Sequence, residues 1–278
     1  MPLSPVDPAR VPALSDAEAA PPDDLPRGDA LADATAALSA RLGELQTLLT
    51  AEGGRAVLVV LQGRDASGKD GTVRHVFDAC NPMGLRVTSF RAPSAEERAH
   101  DYLWRVHAAL PPRGAIGIFN RSHYEDVVAV RVRGLAPDAV WRRRSHHIVE
   151  FERMLADEGT VVLKFLLHVS RAEQAERLRA RLDEPDKHWK YNAGDVEDRA
   201  RWDAFTEAYR DVLAETSTAH APWYVVPGDK KKARNYLVAE ALVRALEGMA
   251  PRAPRLPEGE LAALRAGLDA QLAAVRGA

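Results

Sequence analysis

The chain lacks the features of a secreted or membrane-spanning protein. It has one cysteine, Cys80, so no internal disulfide can form and a reducing compartment is expected. No segment approaches the roughly 20 consecutive apolar residues of a membrane span. The N-terminus also lacks a basic region followed by an apolar run, which is typical of a secretory signal. We therefore expect a cytoplasmic protein with no membrane partner.

A large excess of one charge is also missing. The chain has 38 basic and 40 acidic residues, a formal net charge of −2, which argues against nucleic-acid binding by a wholly basic surface. An anionic ligand would instead need local clusters of Arg and Lys. Hydrophobic residues make up 46% of the 278 residues, enough for the core of one large α/β domain.

The most informative stretch is residues 57–72, VLVVLQGRDASGKDGT. Its first five residues are apolar and too few for an ordinary helix, so they predict a buried parallel strand. After Gln62, residues 63–69 fit the G-x-x-x-x-G-K pattern of a phosphate-binding loop, whose backbone N–H groups and following helix attract a polyanion. The predicted phosphate-binding residues here are Gly63, Arg64, Ala66, Ser67, Gly68, Lys69, Asp70, Gly71 and Thr72.

The loop departs from the usual motif in one position. Asp70 stands where a Ser or Thr hydroxyl ordinarily binds Mg²⁺. Asp65 adds a second carboxylate to a loop that is built for anions. This arrangement is costly unless one carboxylate holds a divalent cation, which prefers oxygen ligands.

Strand and helix patterns alternate through the middle of the chain. The predicted strands are residues 57–61, 85–90, 115–120, 161–169 and 223–226. The predicted helices are residues 29–52, 69–80, 94–110, 138–157, 171–182, 195–216, 231–248 and 258–276. This order predicts a three-layer α/β/α fold with a five-stranded parallel sheet and a ligand site at the carboxyl ends of the strands.

Three regions are expected. Residues 1–28 contain seven prolines and predict an extended arm, either a loose tail or a segment that wraps a neighbouring subunit. Residues 29–250 are expected to form the domain that carries the phosphate-binding loop, with a helical lid at 171–194, and residues 251–278 a linker and a final amphipathic helix. Leucine-rich helices near both ends favour a homo-oligomer.

A polar run follows the predicted third strand. In phosphate-loop proteins an aspartate usually ends this strand and holds Mg²⁺, but here the residue is Asn120. Metal binding must then depend on Asp65, assisted by Glu125 or Asp126. Arg121 can present a forked guanidinium to phosphate oxygens. The alternative is a polar turn that caps the next element.

Further cations are candidates for binding phosphate. Arg131 and Arg133 alternate along a segment predicted to be extended. Arg181 is the candidate lid arginine that stabilises the transferring group, and the alternative is a surface helix with ion pairs four residues apart. The remaining candidates are Lys187 in the lid and Lys230, Lys231 and Arg234 after the last strand.

Four separated segments resemble the polyphosphate kinase family 2, whose core is similar to thymidylate kinase. They are GRDASGKDG at 63–71, FNRSHYEDV at 119–127, LDEPDKHWK at 182–190 and STAHAPWYVVPGDKKKARN at 217–235. The resemblance covers roughly residues 31–249.

The resemblance implies reversible transfer of the terminal phosphoryl group of inorganic polyphosphate to a nucleotide, with Mg²⁺ or alternatively Mn²⁺. By position, Asp65 looks like the family's loop carboxylate, Lys69 its phosphate lysine, and Arg121 and Arg181 its catalytic arginines. Asn120 and the pair Glu125 and Asp126 are similar to the subclass that accepts AMP as well as ADP. The implied partners are polyphosphate, adenine or guanine nucleotides, and further copies of the chain in a dimer or tetramer.

Two other functions remain open from the residues. An ATP-dependent kinase of a small metabolite would use the same loop. A nucleotide- or polyphosphate-binding regulator without turnover is the second, and the departures at Asp70 and Asn120 are its support in the sequence.

Overall fold

The sheet is built around one fully buried strand that leads into the phosphate-binding loop. The computed structural model describes residues 2–276; Met1, Gly277 and Ala278, at the ends of the predicted arm and C-terminal region, lie outside the described residues. The strands are β1 (Ala56–Gln62), β2 (Leu85–Ser89), β3 (Ile116–Asn120), β4 (Thr160–His168) and β5 (Trp223–Pro227). They pair in the order β2-β3-β1-β4-β5, and every pairing is parallel.

Helices cover both faces of this sheet. They are α1 (Gly28–Glu52), α2 (Lys69–Val76), α3 (Ala95–Ala99), α4 (Trp104–Ala108), α5 (Val128–Val132), α6 (Asp138–Asp157), α7 (Arg171–Asp183), α8 (Gly194–Ala200), α9 (Trp202–Thr216), α10 (Lys231–Met249) and α11 (Glu258–Arg276). Short 3-10 helices lie at Asp16–Ala19, Pro82–Gly84, His123–Asp126 and Pro185–Lys190. Within residues 2–276, no helix is long and apolar enough to cross a membrane.

Alternate residues of β1 feed two separate hydrophobic cores. Val57, Val59 and Leu61 pack with α1, α2 and α10. Leu58 and Val60 pack on the other face with residues of α5, α6 and α9. A strand that is buried on both faces reads as a continuous apolar run, which is why the sequence identifies it. The predicted three-layer α/β/α fold with five parallel strands is confirmed.

Three of the predicted helical boundaries are wrong. Helix α2 ends at Val76 rather than near Cys80. The helix expected at 94–110 is two short helices, α3 and α4, because the backbone is extended at His100 and Asp101 Oδ1 accepts the N–H of Leu103 in the turn before α4. The helix expected at 195–216 is interrupted between α8 and α9 at Arg201.

The segment of Arg131 and Arg133 is helical rather than extended, since it forms α5 and its C-cap. In a five-residue helix that packs on α9, neighbouring apolar valines serve the helix–helix contact. The alternation of Val and Arg was misleading because a short helix and a strand are not distinguished by so few residues.

The proline-rich arm packs against its own chain. Val6 N–H donates to Trp223 O at 2.8 Å, and Asp229 N–H donates to Ala19 O at 3.1 Å. His168 Nε2 contacts Ser15 O at 2.8 Å, at the carboxyl end of β4. Leu14 is 4% exposed. The arm is therefore part of the folded domain, and the expected loose tail is not what the structure shows.

Candidate active site

The phosphate-binding loop joins β1 to α2 at the carboxyl edge of the sheet. Gly63 has φ 145° and Gly68 has φ 96°, values that side chains rarely adopt. A Cβ on Gly63 would lie 2.6 Å from Leu167 O, and one on Gly68 would lie 1.9 Å from Arg234 Nη1. Both glycines are therefore required by backbone angle and by close approach, as the motif predicts.

Two arginines support the loop from behind. Arg177 donates to Ala66 O at 3.1 Å and to Ser67 O at 3.2 Å. Arg234 Nη1 donates to Ser67 O at 3.1 Å. The side chain of Arg234 is almost fully buried, and this burial lowers its pKa to about 10. Arg234 was expected to bind phosphate directly, but the structure places it behind the loop, where it holds the loop backbone.

Lys69 is folded back onto its own loop. Its Nζ donates to Gly63 O at 2.9 Å, to Arg64 O at 3.1 Å and to Ser67 Oγ at 3.4 Å. Burial lowers the pKa of Lys69 to about 8, and the nearby charge of Arg121 acts in the same direction, while that of Asp65 opposes both. The ammonium group is thus poised to exchange carbonyl partners for phosphate oxygens.

Arg121 joins two carboxylates beside the loop. Its guanidinium makes a short ion pair with Asp65 Oδ1 and a second contact of 3.3 Å with Glu125 Oε2. Burial alone would raise the pKa of Asp65, but Arg121 and Lys69 hold it below its ordinary value. The structure brings together the predicted catalytic residues Asp65, Lys69 and Arg121, with Glu125 next to them.

Asp126 does not belong to this cluster. Its carboxylate lies 3.3 Å from Arg105 Nη2 and 3.6 Å from Arg144 Nη1. Arg144 also donates to the main-chain oxygen of Asp126 at 2.7 Å. These partners lie on the side of the turn away from the loop, so Asp126 is not placed to share a metal ion with Asp65. Of the two carboxylates considered as helpers, the structure favours Glu125.

A divalent metal ion would fit with few protein ligands. Within residues 2–276, no group of three or more His, Cys, Asp or Glu side chains is arranged to hold a metal ion. Magnesium in phosphoryl-transfer sites is usually held by one or two carboxylates, with substrate phosphates and water completing its shell. Asp65 and Glu125 supply such a pair, because both contact the same guanidinium. Asp70 Oδ1 instead accepts a hydrogen bond from the side-chain amide of Asn120.

Four predicted cations face carboxylates of the chain itself. Arg181 Nη1 lies 2.7 Å from Asp195 Oδ2 in α8. Arg133 contacts Asp198 through two nitrogens, with Nε at 3.0 Å from Oδ1. The other two pairs are Arg131 with Asp211 and Glu207 of α9, and Lys187 with Glu184.

Lys230 and Lys231 lie elsewhere on the carboxyl edge. With Lys232 they line a cavity of about 570 Å³ whose other wall is the arm, including Pro22 and Leu25. Within the described part of the chain, none of the three lysines forms an ion pair. The structure therefore separates these lysines from Arg131 and Arg133, which pair with carboxylates of α8 and α9, although all of them were candidates for binding phosphate.

Sequence reasoning missed an aromatic wall on α9. Trp202, Phe205 and Tyr209 line a small cavity of about 20 Å³ together with Arg64 and Asp65. Arg64 stacks on the Trp202 ring at 3.8 Å from its centroid and donates to Trp202 O at 2.9 Å. The spacing of these aromatics marks one helix face, but the same spacing is typical of core packing, so it does not by itself indicate a binding site.

Comparison with known proteins identifies relatives over most of the chain. A model of the polyphosphate kinase 2 (PPK2) family matches residues 27–254. A protein of Meiothermus ruber named AMP/ADP-polyphosphate phosphotransferase is 57% identical over 223 residues, 80% of this chain and 84% of the relative. An ADP-polyphosphate phosphotransferase of Rhodopseudomonas palustris is 44% identical over 221 residues, 75% of this chain and 76% of the relative.

A solved structure agrees with these matches. The crystal structure of polyphosphate kinase 2 from Arthrobacter aurescens superposes with a TM-score of 0.81 at 38% identity, and covers 95% of this chain and 100% of that chain. The phosphate-binding loop, the Arg121 cluster and the sheet topology lie inside the matched region. The chain belongs to the polyphosphate kinase 2 family.

Proposed function

We propose that this protein transfers the terminal phosphoryl group of inorganic polyphosphate to AMP and ADP, reversibly and with Mg²⁺. The observation that carries the proposal is the placement of Asp65 between Arg121 and Lys69 at the mouth of a phosphate-binding loop. The similarity to a relative that is named for both AMP and ADP supports the choice of acceptors.

The loop and its cations bind and orient the donor phosphate. Backbone N–H groups of the loop and the N-terminus of α2 attract phosphate oxygens, and Lys69 exchanges its carbonyl partners for them. Arg121 spreads its positive charge over the transferring group, where charge is distributed among the equatorial oxygens. The protein's part is therefore positioning and neutralisation of charge.

Asp65 and Glu125 are the residues that would hold the metal ion. Mg²⁺ held there would neutralise phosphate charge during transfer. The ion pair with Arg121 keeps the Asp65 carboxylate ionised, as a metal ligand must be. Mn²⁺ has the same preference for oxygen ligands and is an alternative.

The acceptor nucleotide is proposed to bind along α9. Trp202, Phe205 and Tyr209 offer an aromatic surface for the base, next to Asp65 and Glu125. The cavity of about 20 Å³ is far smaller than a nucleotide needs, so α8 must move away for it to enter. The ion pairs of α8 with the α5 C-cap and with α7 are the contacts that opening breaks.

The donor is proposed to approach from the opposite side of the loop. Lys230 and Lys231 lie there, at the N-terminus of α10, and form no ion pair within residues 2–276. Polyphosphate carries about one negative charge per phosphate unit, so adjacent cations without carboxylate partners suit it. On this proposal, donor and acceptor reach the loop from different edges.

The proposal includes self-association into a dimer or tetramer. Its support is the exposed face of α11, where Leu264, Leu268 and Leu272 are each about half exposed or more. Light scattering coupled to size-exclusion chromatography measures the mass directly. A chain truncated after Ala250, near the end of the family match, tests whether α11 is needed.

The activity is tested by incubating purified protein with Mg²⁺, long-chain polyphosphate and AMP, and separating the nucleotides by chromatography over time. Formation of ADP and then ATP is expected. ATP from added ADP without any product from AMP would retain the family activity and contradict AMP as an acceptor. No product from either acceptor would contradict the proposal. Lys69→Ala is the matched control and should lower turnover by several orders of magnitude.

A further inference from the structure

A fully buried polar cluster lies behind the turn that follows β3. Lys164 Nζ donates to Glu152 Oε2 at 2.5 Å, to Tyr124 Oη at 2.9 Å and to Thr216 O at 2.7 Å. Tyr124 Oη donates in turn to Glu152 Oε1 at 2.9 Å, and His123 Nε2 lies 3.3 Å from the same oxygen. The side chains of Lys164 and Glu152 are 0% exposed.

Stability alone does not explain this cluster. Lys164 interrupts an otherwise apolar strand, and Val162 and Leu166 on the same face pack into the hydrophobic core. Burying an ion pair removes two charges from water, and apolar residues of similar size are often at least as stabilising. The ion pair of Lys164 and Glu152 therefore has a role besides stability, and the residues that it contacts indicate that role.

The cluster holds the turn that carries the site residues. Along this turn Arg121 and Glu125 face Asp65, while His123 and Tyr124 enter the cluster. Arg121 has φ 62°, in the left-handed region where a non-glycine residue is strained. Such a backbone conformation persists where surrounding contacts impose it. Tyr124 Oη supplies such contacts, because it donates one hydrogen bond to Glu152 and accepts another from Lys164.

We propose that Lys164 and Glu152 are positioning residues for phosphoryl transfer, acting through Tyr124 to hold Arg121 and Glu125 in place beside Asp65. This inference rests on the proposed function. Neither residue touches the substrate site. Their contribution is to fix the turn in one arrangement, because Lys164 Nζ and both Glu152 oxygens are bonded within a buried network that permits few alternatives.

The first test is Tyr124→Phe, which removes one hydroxyl and leaves the ion pair of Lys164 and Glu152. We expect kcat to fall about tenfold, because small displacements of charged groups are costly in transition-state stabilisation. The KM values for AMP and polyphosphate should stay within about twofold, since ground-state binding depends less on the alignment of these groups.

Coupling to the site distinguishes positioning from general stability. In an Arg121→Lys/Glu125→Gln background, Tyr124→Phe should lower kcat by less than about twofold, because the groups that it positions are already changed. An effect of equal size in both backgrounds would overturn the inference. Gln46→Met is the control: Gln46 makes a buried polar contact with Asn81 on the other face of the sheet. Gln46→Met should change kcat by the same factor in the wild-type background and in the Arg121→Lys/Glu125→Gln background.

A second variant distinguishes lost positioning from misfolding as the cause of a lower kcat. Glu152→Leu/Lys164→Met replaces the pair by apolar residues of similar size, so it is expected to fold. Its unfolding temperature should be below that of the wild type, because the buried Tyr124 Oη and His123 Nε2 lose their partners. Its kcat should still fall about tenfold, as expected for lost positioning. A folded double variant with the wild-type kcat would overturn the inference. Inactive wild-type protein would instead contradict the proposed function.

Discussion

The side-chain amide of Asn120 donates a hydrogen bond of 2.6 Å to Asp70 Oδ1. Each residue departs from the usual phosphate-loop pattern, since Asp70 replaces a hydroxyl and Asn120 replaces an aspartate. Their contact shows that the two departures are one feature. Compared with the usual pattern, the carboxylate lies at the start of α2 instead of at the end of β3. The polar group that is its hydrogen-bonding partner lies at the end of β3 instead of at the start of α2.

The two residues should therefore tolerate exchange better than single change. Asn120→Asp places two carboxylates in contact, and we expect kcat/KM to fall about tenfold or more because both cannot be ionised without repulsion. The double variant Asp70→Asn/Asn120→Asp restores a carboxylate–amide pair with the positions exchanged. Steady-state kinetics should show activity within about threefold of wild type. A double variant as impaired as the single one would contradict the pairing.

Lys69 should produce an alkaline limit on activity. Burial lowers its pKa from the ordinary 10.5 to about 8. The kcat/KM for polyphosphate, which reports the free enzyme, should then fall about tenfold for each pH unit above that value as the ammonium group is lost. In Lys69→Arg, whose side chain stays charged, this limb should be absent from the pH profile even though turnover is reduced.

The loss of activity should not reflect unfolding through Lys69. Between pH 8 and 10.5 the unfolded chain binds this proton more tightly than the folded one, so the contribution of Lys69 to stability rises with pH. Unfolding temperatures measured by circular dichroism across the same range provide the control. An alkaline limb that persists unchanged in Lys69→Arg would contradict the assignment.

Asp198 should act as a latch that keeps α8 closed. It receives a two-nitrogen contact from Arg133 of the α5 C-cap. Asp198→Asn removes the charge at similar size, and since exposed pairs contribute up to about 1 kcal/mol, the open population should rise two- to fivefold. Faster limited proteolysis within residues 184–200 would report this opening. Asp203→Asn, which breaks an exposed pair with Arg171, is the matched control.

Arg181 should contribute to turnover more than to binding. It lies on α7 beside Asp195 and is directed toward the charges around Asp65. If closure brings it to the transferring group, Arg181→Ala should lower kcat by about 100-fold or more while polyphosphate affinity changes by less than about tenfold.

Arg179 is the matched control for this measurement. It is exposed on the same helix and makes no ion pair in the described region. Arg179→Ala should leave both kcat and polyphosphate affinity within about twofold of wild type, as is usual for surface substitutions. Equal losses of turnover and affinity in Arg181→Ala would instead make Arg181 an anchor for the substrate.

Much of the fold could be predicted because its signals are local. The buried run at 57–61 and the loop glycines are contiguous in sequence, and each glycine has a backbone requirement that few other residues meet. The order of strands and helices then restricts the topology to a few arrangements. The breaks between α3 and α4 and between α8 and α9 were missed because the backbone leaves helical geometry locally, at His100 and at Arg201, and hydrophobic periodicity does not report this.

The candidate site was likewise predicted in part from the sequence and in part only seen in the structure. The sequence by itself determined the phosphate-binding loop, the candidates Asp65, Lys69 and Arg121, and the resemblance to the family, because residue type and spacing carry this chemistry. Only the tertiary structure decided that Asp126 turns away, that Arg234 lies behind the loop, and that α9 supplies an aromatic wall. These outcomes depend on which distant segment meets each side chain, and the partners of a charge or a ring are chosen by packing rather than by neighbours in the chain.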